Sequence, residues 1–352
     1  MLIDGIHVPL TVPFTRDGGC HLRKLEGNVG RYSLSPVAGL VALGPGSEAE
    51  TLSDAEIADV LRAVGRSAAL EKVLVAGITK DSVRGTLKVA EQAAEAGFDA
   101  VLLAAPSTWT QLNAAELITF FKAVADHSPL PVMLWSESAA PFMRLSVELI
   151  AELAAHGNVI GLYDADLTLD RHRALVEATS GSKRNVTVTA VFAPVTRRME
   201  AAAAQDGSFV SAESLGGGAS VVVSVAKPAL TMRMKTRTKT VGFQVMSAGS
   251  YAEMLPLLEA SVAGALPQLS ACAPQGCYEV LAAFKDGDPA LSAEKAERLR
   301  AAGSLMLQLG VAGIKYGCDL NGFYGGLPRL PRLALTAEQK VQVEAVLSEV
   351  RN

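Results

Sequence analysis

The sequence is poor in cysteine, carries little net charge and contains no long apolar run. The four cysteines, Cys20, Cys272, Cys277 and Cys318, have no zinc-site spacing and fit free thiols in a reducing compartment. A net charge of −4 argues against a broad basic surface for nucleic acid. The first residues lack a basic stretch followed by an apolar one, and the apolar runs are too short to cross a membrane. We therefore expect a cytoplasmic protein that binds neither nucleic acid nor membranes.

What the chain does have is a large apolar fraction arranged in short runs. Hydrophobic residues make up 49% of the 352 positions, which is enough for a large core. Several runs are apolar at consecutive positions, as in parallel strands that helices cover on both faces. The predicted strands are residues 6–14, 39–44, 72–79, 100–105, 131–136 and 159–163.

Helical patterns with readable ends separate these strands. Ser53 and Glu56 form a capping box, and similar pairs begin at Asn113 and Thr336. Gly97 follows a helical segment and suits a left-handed C-cap. Repeated strand–helix units of this length predict a (β/α)8 TIM barrel, with a doubly wound sheet as the alternative, because periodicity does not show closure.

Two segments stand out, residues 44–48 (GPGSE) with 52–53 (LS), and residues 158–165 (NVIGLYDA). The first resembles the Gly-Thr-Thr-Gly-Glu…Leu-Ser signature of the dihydrodipicolinate synthase / N-acetylneuraminate lyase family. The second resembles the strand that carries the Schiff-base lysine of that family, roughly NIVGIKEA. Further similarity lies in residues 5–14, 94–106, 313–316 and 327–331. The resemblance covers about 1–180 and 241–352, and it implies a closed barrel and a homo-oligomer.

The middle of the chain departs from this resemblance. We predict a barrel over residues 1–270, an insertion at about 183–240, and a helical extension of the same domain over 271–352. Within the insertion, residues 185–192 and 220–226 look like strands, and residues 213–218 look like a turn. The seventh barrel strand is assigned to residues 243–248 rather than to 186–192. A helix over 251–264 and a last strand over 265–272 then follow.

The insertion also carries an alternating basic run at residues 231–239. Its four cations in seven residues are compatible with an anion-binding flap, a partner strand or a hairpin whose cations face water. The solvated hairpin is favoured, since alternating charge usually marks an exposed face. A preceding helix at residues 169–179 would start the insertion at the face of the barrel opposite the strand C-termini, which disfavours a lid.

The active site of such a barrel lies at the C-terminal ends of its strands. The family resemblance implies a lysine amine that condenses with a 2-keto acid, a tyrosine relay, and a Gly-Thr-Thr-Gly segment that holds the carboxylate. Tyr163 occupies the lysine position and has no amine. Trp135 occupies the position of the relay tyrosine, and tryptophan is no acid or base near neutral pH.

Other parts of the expected machinery are replaced as well. Pro45 and Gly46 align with the paired threonines, and Pro45 removes an amide donor. The second relay tyrosine falls near Thr108, and the expected basic residue aligns with residues 139–140. We predict substrate contacts from Gly46, Ser47, Glu48, Thr108 and Glu137.

Two routes to surviving catalysis remain open. Lys80 follows the third strand and is the best-placed other lysine, ahead of Lys227 and Lys315, although Asp81 beside it favours the charged amine. Carboxylates of Glu48, Glu137, Asp164 and Asp166 would converge on the mouth, where such oxygens can hold a divalent cation. No ligand spacing is diagnostic, so no cofactor is predicted, and Asp164 and Asp166 are only weak metal candidates.

The main prediction is a divergent family member without Schiff-base chemistry that binds a small molecule. Trp109, Trp135 and Tyr163 would wall its pocket, since aromatic rings can hold a ligand without reacting. By the resemblance, the ligand is a keto acid or sugar acid. The alternative is an active lyase or aldolase on such a substrate that uses a relocated lysine or a metal, so enzyme status stays open.

Overall fold

The computed structural model of the chain describes residues 1–108, 111–138, 143–205, 235–249 and 254–350. Its strands are β1 (Gly5–Pro9), β2 (Gly39–Ala42), β3 (Val73–Gly77), β4 (Ala100–Leu103), β5 (Val132–Ser136), β6 (Val159–Asp164), β7 (Arg184–Thr189), β8 (Thr236–Val241), β9 (Gln244–Ser247) and β10 (Gly264–Ala265). Its helices are α1 (Leu22–Leu34), α2 (Asp54–Ser67), α3 (Val83–Glu95), α4 (Ala114–His127), α5 (Val147–Ala154), α6 (Leu169–Ala178), α7 (Arg197–Gln205), α8 (Met254–Glu259), α9 (Pro274–Lys285), α10 (Pro289–Leu320) and α11 (Ala337–Leu347). No described helix is both long and apolar enough to cross a membrane.

Eight parallel strands close into a barrel, in the order β1-β10-β9-β6-β5-β4-β3-β2. Pairing of β9 with β6 and of β10 with β1 completes the ring, so the fold is the predicted (β/α)8 TIM barrel and the doubly wound sheet is wrong. The assignment of the seventh barrel strand to residues 243–248 is confirmed. Helices α9, α10 and α11 follow the barrel, and α10 is broken at Gly310, where φ is 61°.

The last barrel strand is much shorter than predicted. Residues 265–272 were expected to be extended, but β10 ends at Ala265 and a 3₁₀ helix covers Gln268–Ala271. Pro267 lies between them and, lacking an amide hydrogen, cannot continue a hydrogen-bond ladder. The predicted helix at 251–264 is α8, which ends at Glu259, and residues 251–253 lie outside the described part.

The capping signals in the sequence are confirmed. Ser53 and Glu56, Asn113 and Glu116, and Thr336 with Gln339 all form reciprocal capping boxes at the starts of their helices. Gly97 has a φ of +84° just after α3, a conformation that glycine adopts without a steric cost. These contacts satisfy amides and carbonyls that would otherwise be unpaired at helix ends.

His7 is an unexpected polar group on β1 in the core. It is 0% exposed, and neither ring nitrogen has a hydrogen-bond partner among the described residues. Gly39 on the adjacent strand makes room for it, because a Cβ there would lie 2.5 Å from His7 Cδ2. Burial lowers the pKa of His7 to about 4, so the ring is neutral at neutral pH.

The described part of the insertion lies at the N-terminal face of the barrel. Strands β7 and β8 form an antiparallel hairpin outside the barrel, and Val186 and Val188 pack against Leu2. In α7, the Arg197 amide donates to Asp99 (2.7 Å) and Arg198 donates to carbonyls that precede β3. These described residues of the insertion are therefore remote from the mouth, and the predicted turn at 213–218 and strand at 220–226 lie outside the described residues.

Candidate active site

Tyr163 and Trp135 lie side by side at the mouth of the barrel. They are paired positions on β6 and β5, and their rings meet edge to face with centroids 6.2 Å apart. Tyr163 is 1% exposed and belongs to the cluster of side chains inside the barrel. Burial, helped by Glu137, Asp164 and Asp166, raises the pKa of the Tyr163 phenol far above its usual range. The phenol therefore stays neutral and is no general base.

A cavity of about 630 Å³ opens beside Tyr163 at this mouth. The mouth cavity, as we call it, is bounded by the ends of β5 and β6, the segments after β9 and β10, and one face of α10. Its charged or polar lining includes Glu137, Ser138, Asp166, Arg300 and Ser304. Among the described residues, no lysine lines it.

Glu137 is the most perturbed carboxyl at this cavity. Burial raises its pKa and nearby Asp166 adds to the rise, while a hydrogen bond from Trp135 Nε1 (3.1 Å) opposes it. Asp166 accepts a hydrogen bond from the Ser138 amide at 2.5 Å and lies 3.8 Å from Arg144 Nη1. The cavity thus presents two carboxyl groups, Glu137 and Asp166, within one short stretch of wall.

Asp164 is directed into a different set of contacts. Its fully buried carboxylate accepts from Arg171 Nε at 2.6 Å, and Arg171 also donates to the Leu145 carbonyl. This ion pair joins the end of β6 to α6. The Asp164 carboxylate, a metal candidate in the sequence analysis, is therefore already paired with Arg171. Among the described residues, no three histidine, cysteine, aspartate or glutamate side chains are grouped as a metal site would need. Arg171, which the sequence reading missed, is seven positions after Asp164 on the next helix.

Lys80 borders a second, smaller cavity of about 290 Å³ beyond Trp135. Its ammonium lies 3.4 Å from Asp54 Oδ1, and its side chain is about one third exposed. Trp135 lines this second cavity and, by strand order, stands between Lys80 and Tyr163. Lys80 is thus separated from the mouth cavity, and its partner is Asp54.

The loop after β2 is held by contacts within the protein. Ser47 Oγ donates to the Gly44 carbonyl at 2.7 Å, and Glu48 pairs with Lys315 at 2.5 Å. Gly46, Ser47 and Glu48 line neither of the two cavities. Glu48 also accepts a hydrogen bond from the Arg329 amide, 281 positions later in the sequence. Local sequence patterns could not reveal a contact over that separation.

The predicted site residues are therefore brought together only in part. Tyr163, Glu137 and Asp166 line the mouth cavity, whereas Trp135 and Lys80 line the second, smaller cavity. Thr108 is exposed, and its backbone amide donates a hydrogen bond to Asp81 Oδ1. Trp109, Lys227 and residues 139–140 lie outside the described residues. The sequence reading did not foresee Arg300, which α10 brings to the mouth cavity.

Comparison with known proteins agrees with this architecture. Residues 2–184 match the dihydrodipicolinate synthetase family. A 4-hydroxy-tetrahydrodipicolinate synthase of Cutibacterium acnes is 30% identical over 158 residues, 44% of this chain and 53% of that protein. A probable mitochondrial 4-hydroxy-2-oxoglutarate aldolase of Emericella nidulans is 32% identical over 167 residues, 46% of this chain and 54% of that protein. The chain thus spans about half the length of these relatives.

Solved structures share the fold over the whole chain. A putative dihydrodipicolinate synthetase from Pseudomonas aeruginosa has a TM-score of 0.77 at 22% identity, with 99% of this chain and all of that one aligned. Dihydrodipicolinate synthase DapA-2 from Bacillus anthracis has the same TM-score at 19% identity, with both chains fully covered. At these identities the likeness shows the fold.

Proposed function

Because this chain belongs to the dihydrodipicolinate synthetase family, we propose that it is a member that binds a small molecule and has lost Schiff-base keto-acid chemistry. The observation that carries the proposal is Tyr163 in the lysine position of a mouth cavity that no described lysine lines. An imine needs an uncharged primary amine next to the carbonyl carbon. The buried, neutral phenol of Tyr163 supplies none.

The acid–base partners of that chemistry are missing as well. Trp135 stands where the relay tyrosine is expected and donates its only N–H to Glu137. The hydroxyl of Ser47 is used by the Gly44 carbonyl rather than held ready for a substrate carboxylate. Together these losses support binding without aldol chemistry.

The lining of the mouth cavity favours a polyhydroxylated ligand. Glu137 and Asp166 accept hydrogen bonds, Arg300 supplies a cation that also pairs with Glu297 outside the lining, and the Tyr163 hydroxyl has no hydrogen-bond partner among the described residues. A sugar acid carries hydroxyl donors for the carboxyls and a carboxylate for Arg300, whereas pyruvate has a carboxylate and a keto oxygen but no hydrogen-bond donor. Between the two ligand classes, we therefore place sugar acids ahead of simple keto acids.

Borohydride trapping with pyruvate and other 2-keto acids tests the loss of chemistry. We expect intact mass to show no adduct on the wild-type protein. A wild-type adduct that peptide mapping places on Lys80 would refute the proposal and support the alternative, an active lyase or aldolase with a relocated lysine. Loss of that adduct in Lys80→Gln would confirm the assignment.

Binding itself is tested by calorimetry with sugar acids and keto acids. Leu307 is 64% exposed and lines the mouth cavity, so Leu307→Trp should block it with little cost to folding. We expect a sugar acid to bind the wild type and not this variant, with Leu34→Trp, at an exposed position on α1, as the matched control. Equal binding to all three proteins would contradict the assignment of the site.

Three further expectations belong to this proposal. Homo-oligomerisation by family likeness is tested by light scattering, and a cytoplasmic location by fractionation. The division into a barrel over residues 1–270 with an insertion at about 183–240 and an extension over 271–352 is tested by limited proteolysis. If the extension is part of the same domain, cleavage should concentrate within the insertion before any cut separates residues 271–352.

A further inference from the structure

A second cavity of about 450 Å³ lies at the opposite, N-terminal face of the barrel. We call it the bottom cavity. It is bounded by the starts of β1, β9 and β10, by α6 and α9, and by strand β8 of the inserted hairpin. Its walls are mostly apolar and include Leu2, Phe243, Val245, Leu258 and Phe284. Since its lining contains none of the residues around Tyr163, it is a different site from the mouth cavity.

His172, one of the lining residues, has an unused hydrogen-bond acceptor. The side chain is 2% exposed, and its Nε2 lies 3.1 Å from the Ala260 carbonyl. A carbonyl oxygen only accepts, so Nε2 carries the proton and Nδ1 presents a lone pair. Burial lowers the pKa of His172, which keeps the ring neutral, and Nδ1 is buried without a partner among the described residues. A buried acceptor of this kind is costly unless a donor reaches it.

Lys239 contributes a cation that no described residue neutralises. It is half-buried on β8, and it forms no ion pair or hydrogen bond within the described part of the chain. The other charged side chains at the cavity, Lys285 and Asp4, pair with each other at 3.2 Å. Gln244 is likewise satisfied, because it donates to the Met1 carbonyl and accepts from the Ile3 amide. Lys239 and the Nδ1 lone pair of His172 are therefore available to a ligand above an apolar wall.

We propose that the bottom cavity binds a small amphipathic anion that carries a hydroxyl or N–H donor. The anionic group pairs with Lys239, the donor meets His172 Nδ1, and the apolar body replaces water against the hydrophobic wall. The inserted hairpin thereby gains a role that the barrel alone does not supply, because Lys239 and Val241 of the lining both belong to it.

The probe 8-anilinonaphthalene-1-sulfonate has all three features: aromatic rings, a sulfonate and an anilino N–H. We expect saturable fluorescence enhancement with one site per chain on the native protein. Lys239→Gln should weaken binding by about fivefold, the value of a half-exposed ion pair. The matched control Lys235→Gln removes an equal charge from an exposed residue of the same segment and should leave the affinity unchanged.

Two tryptophan variants distinguish the two cavities. Val176 is 51% exposed and lines the bottom cavity, so Val176→Trp should abolish probe binding while circular dichroism remains native. Leu307→Trp fills the mouth cavity and should not affect it. Probe binding that survives Val176→Trp, or that is lost with Leu307→Trp, overturns the proposal, as does the absence of a saturable site.

A pair of competing acids tests the role of His172. 4-Hydroxyphenylacetate and phenylacetate share the ring and the carboxylate and differ by one hydroxyl donor. We expect the hydroxylated acid to displace the probe at about fivefold lower concentration, the value of one neutral hydrogen bond, and this preference to vanish in His172→Phe. Equal displacement of the probe from the wild type by the two acids overturns the assigned donor requirement.

Discussion

Replacing Lys315 with methionine should expose how much the protein depends on a buried ion pair beneath its C-terminal helices. Lys315 Nζ lies 2.5 Å from Glu48 Oε2, and the two side chains are 0% and 1% exposed. The ammonium also donates to the Leu327 carbonyl at 3.0 Å and lies 4.3 Å from the centre of the Phe14 ring. Methionine keeps the apolar stem but, among the described residues, leaves the Glu48 carboxylate with one remaining donor, the Arg329 amide.

Removing one partner of a buried pair costs about 3–5 kcal/mol, because the other charge stays buried without compensation. We expect Lys315→Met to lose that much free energy of unfolding in urea titrations followed by circular dichroism. The double variant Lys315→Met/Glu48→Gln has no buried charge at this point and should recover most of the loss. A single-variant cost below about 1 kcal/mol, or strictly additive effects, would show that the pair is not a unit and would refute the reasoning.

Three more measurements address buried groups. The pKa of His7 falls from 6.5 when exposed to about 4 in the fold, so the unfolded chain binds the extra proton between those values. The stability that depends on the neutral ring is complete above pH 6.5 and declines by up to about 3 kcal/mol as the pH falls to 4. In urea titrations, His7→Leu should flatten this dependence of the unfolding free energy on pH. An unchanged pH dependence contradicts the assignment. Gly39→Ala would place a Cβ 2.5 Å from His7 and from a backbone carbonyl, so it should destabilise by about 1–3 kcal/mol, while Gly157→Ala, with open space, should not. Burial raises the pKa of Glu137, which accepts a hydrogen bond from Trp135. In a variant that keeps Trp135 as its only tryptophan, the fluorescence should therefore change with pH with a midpoint above 4.5. Glu137→Gln should remove that transition.

Local sequence signals predicted the elements of the barrel well because they depend on local physics. Consecutive apolar positions predict buried parallel strands, and the capping boxes at Ser53, Asn113 and Thr336 act within four residues of one another. Closure was different. It followed from the family resemblance, since the bonding of β10 to β1 joins residues at opposite ends of the barrel sequence.

The details that decide the candidate site were out of reach of local patterns. The Trp135 ring lies between Lys80 and Tyr163, so Lys80 pairs with Asp54 instead. Glu48 pairs with Lys315, which lies on a helix near the other end of the chain. The insertion is a similar case. Its alternating charges predicted a hairpin, but its contacts with the barrel include Leu2 and Asp99, far away in sequence.

A tyrosine at position 163, where the family resemblance implies a lysine, fits the electrostatics of its surroundings. The carboxyls of Glu137, Asp164 and Asp166 all act on position 163, and each raises the pKa of the phenol there. The same carboxyls would favour the charged form of a lysine, whereas imine formation requires the neutral amine. A family member that kept this acidic environment without a relay tyrosine would gain little from a lysine. A neutral phenol tolerates the same neighbours, fills the barrel beside Trp135 and leaves a hydroxyl for a ligand.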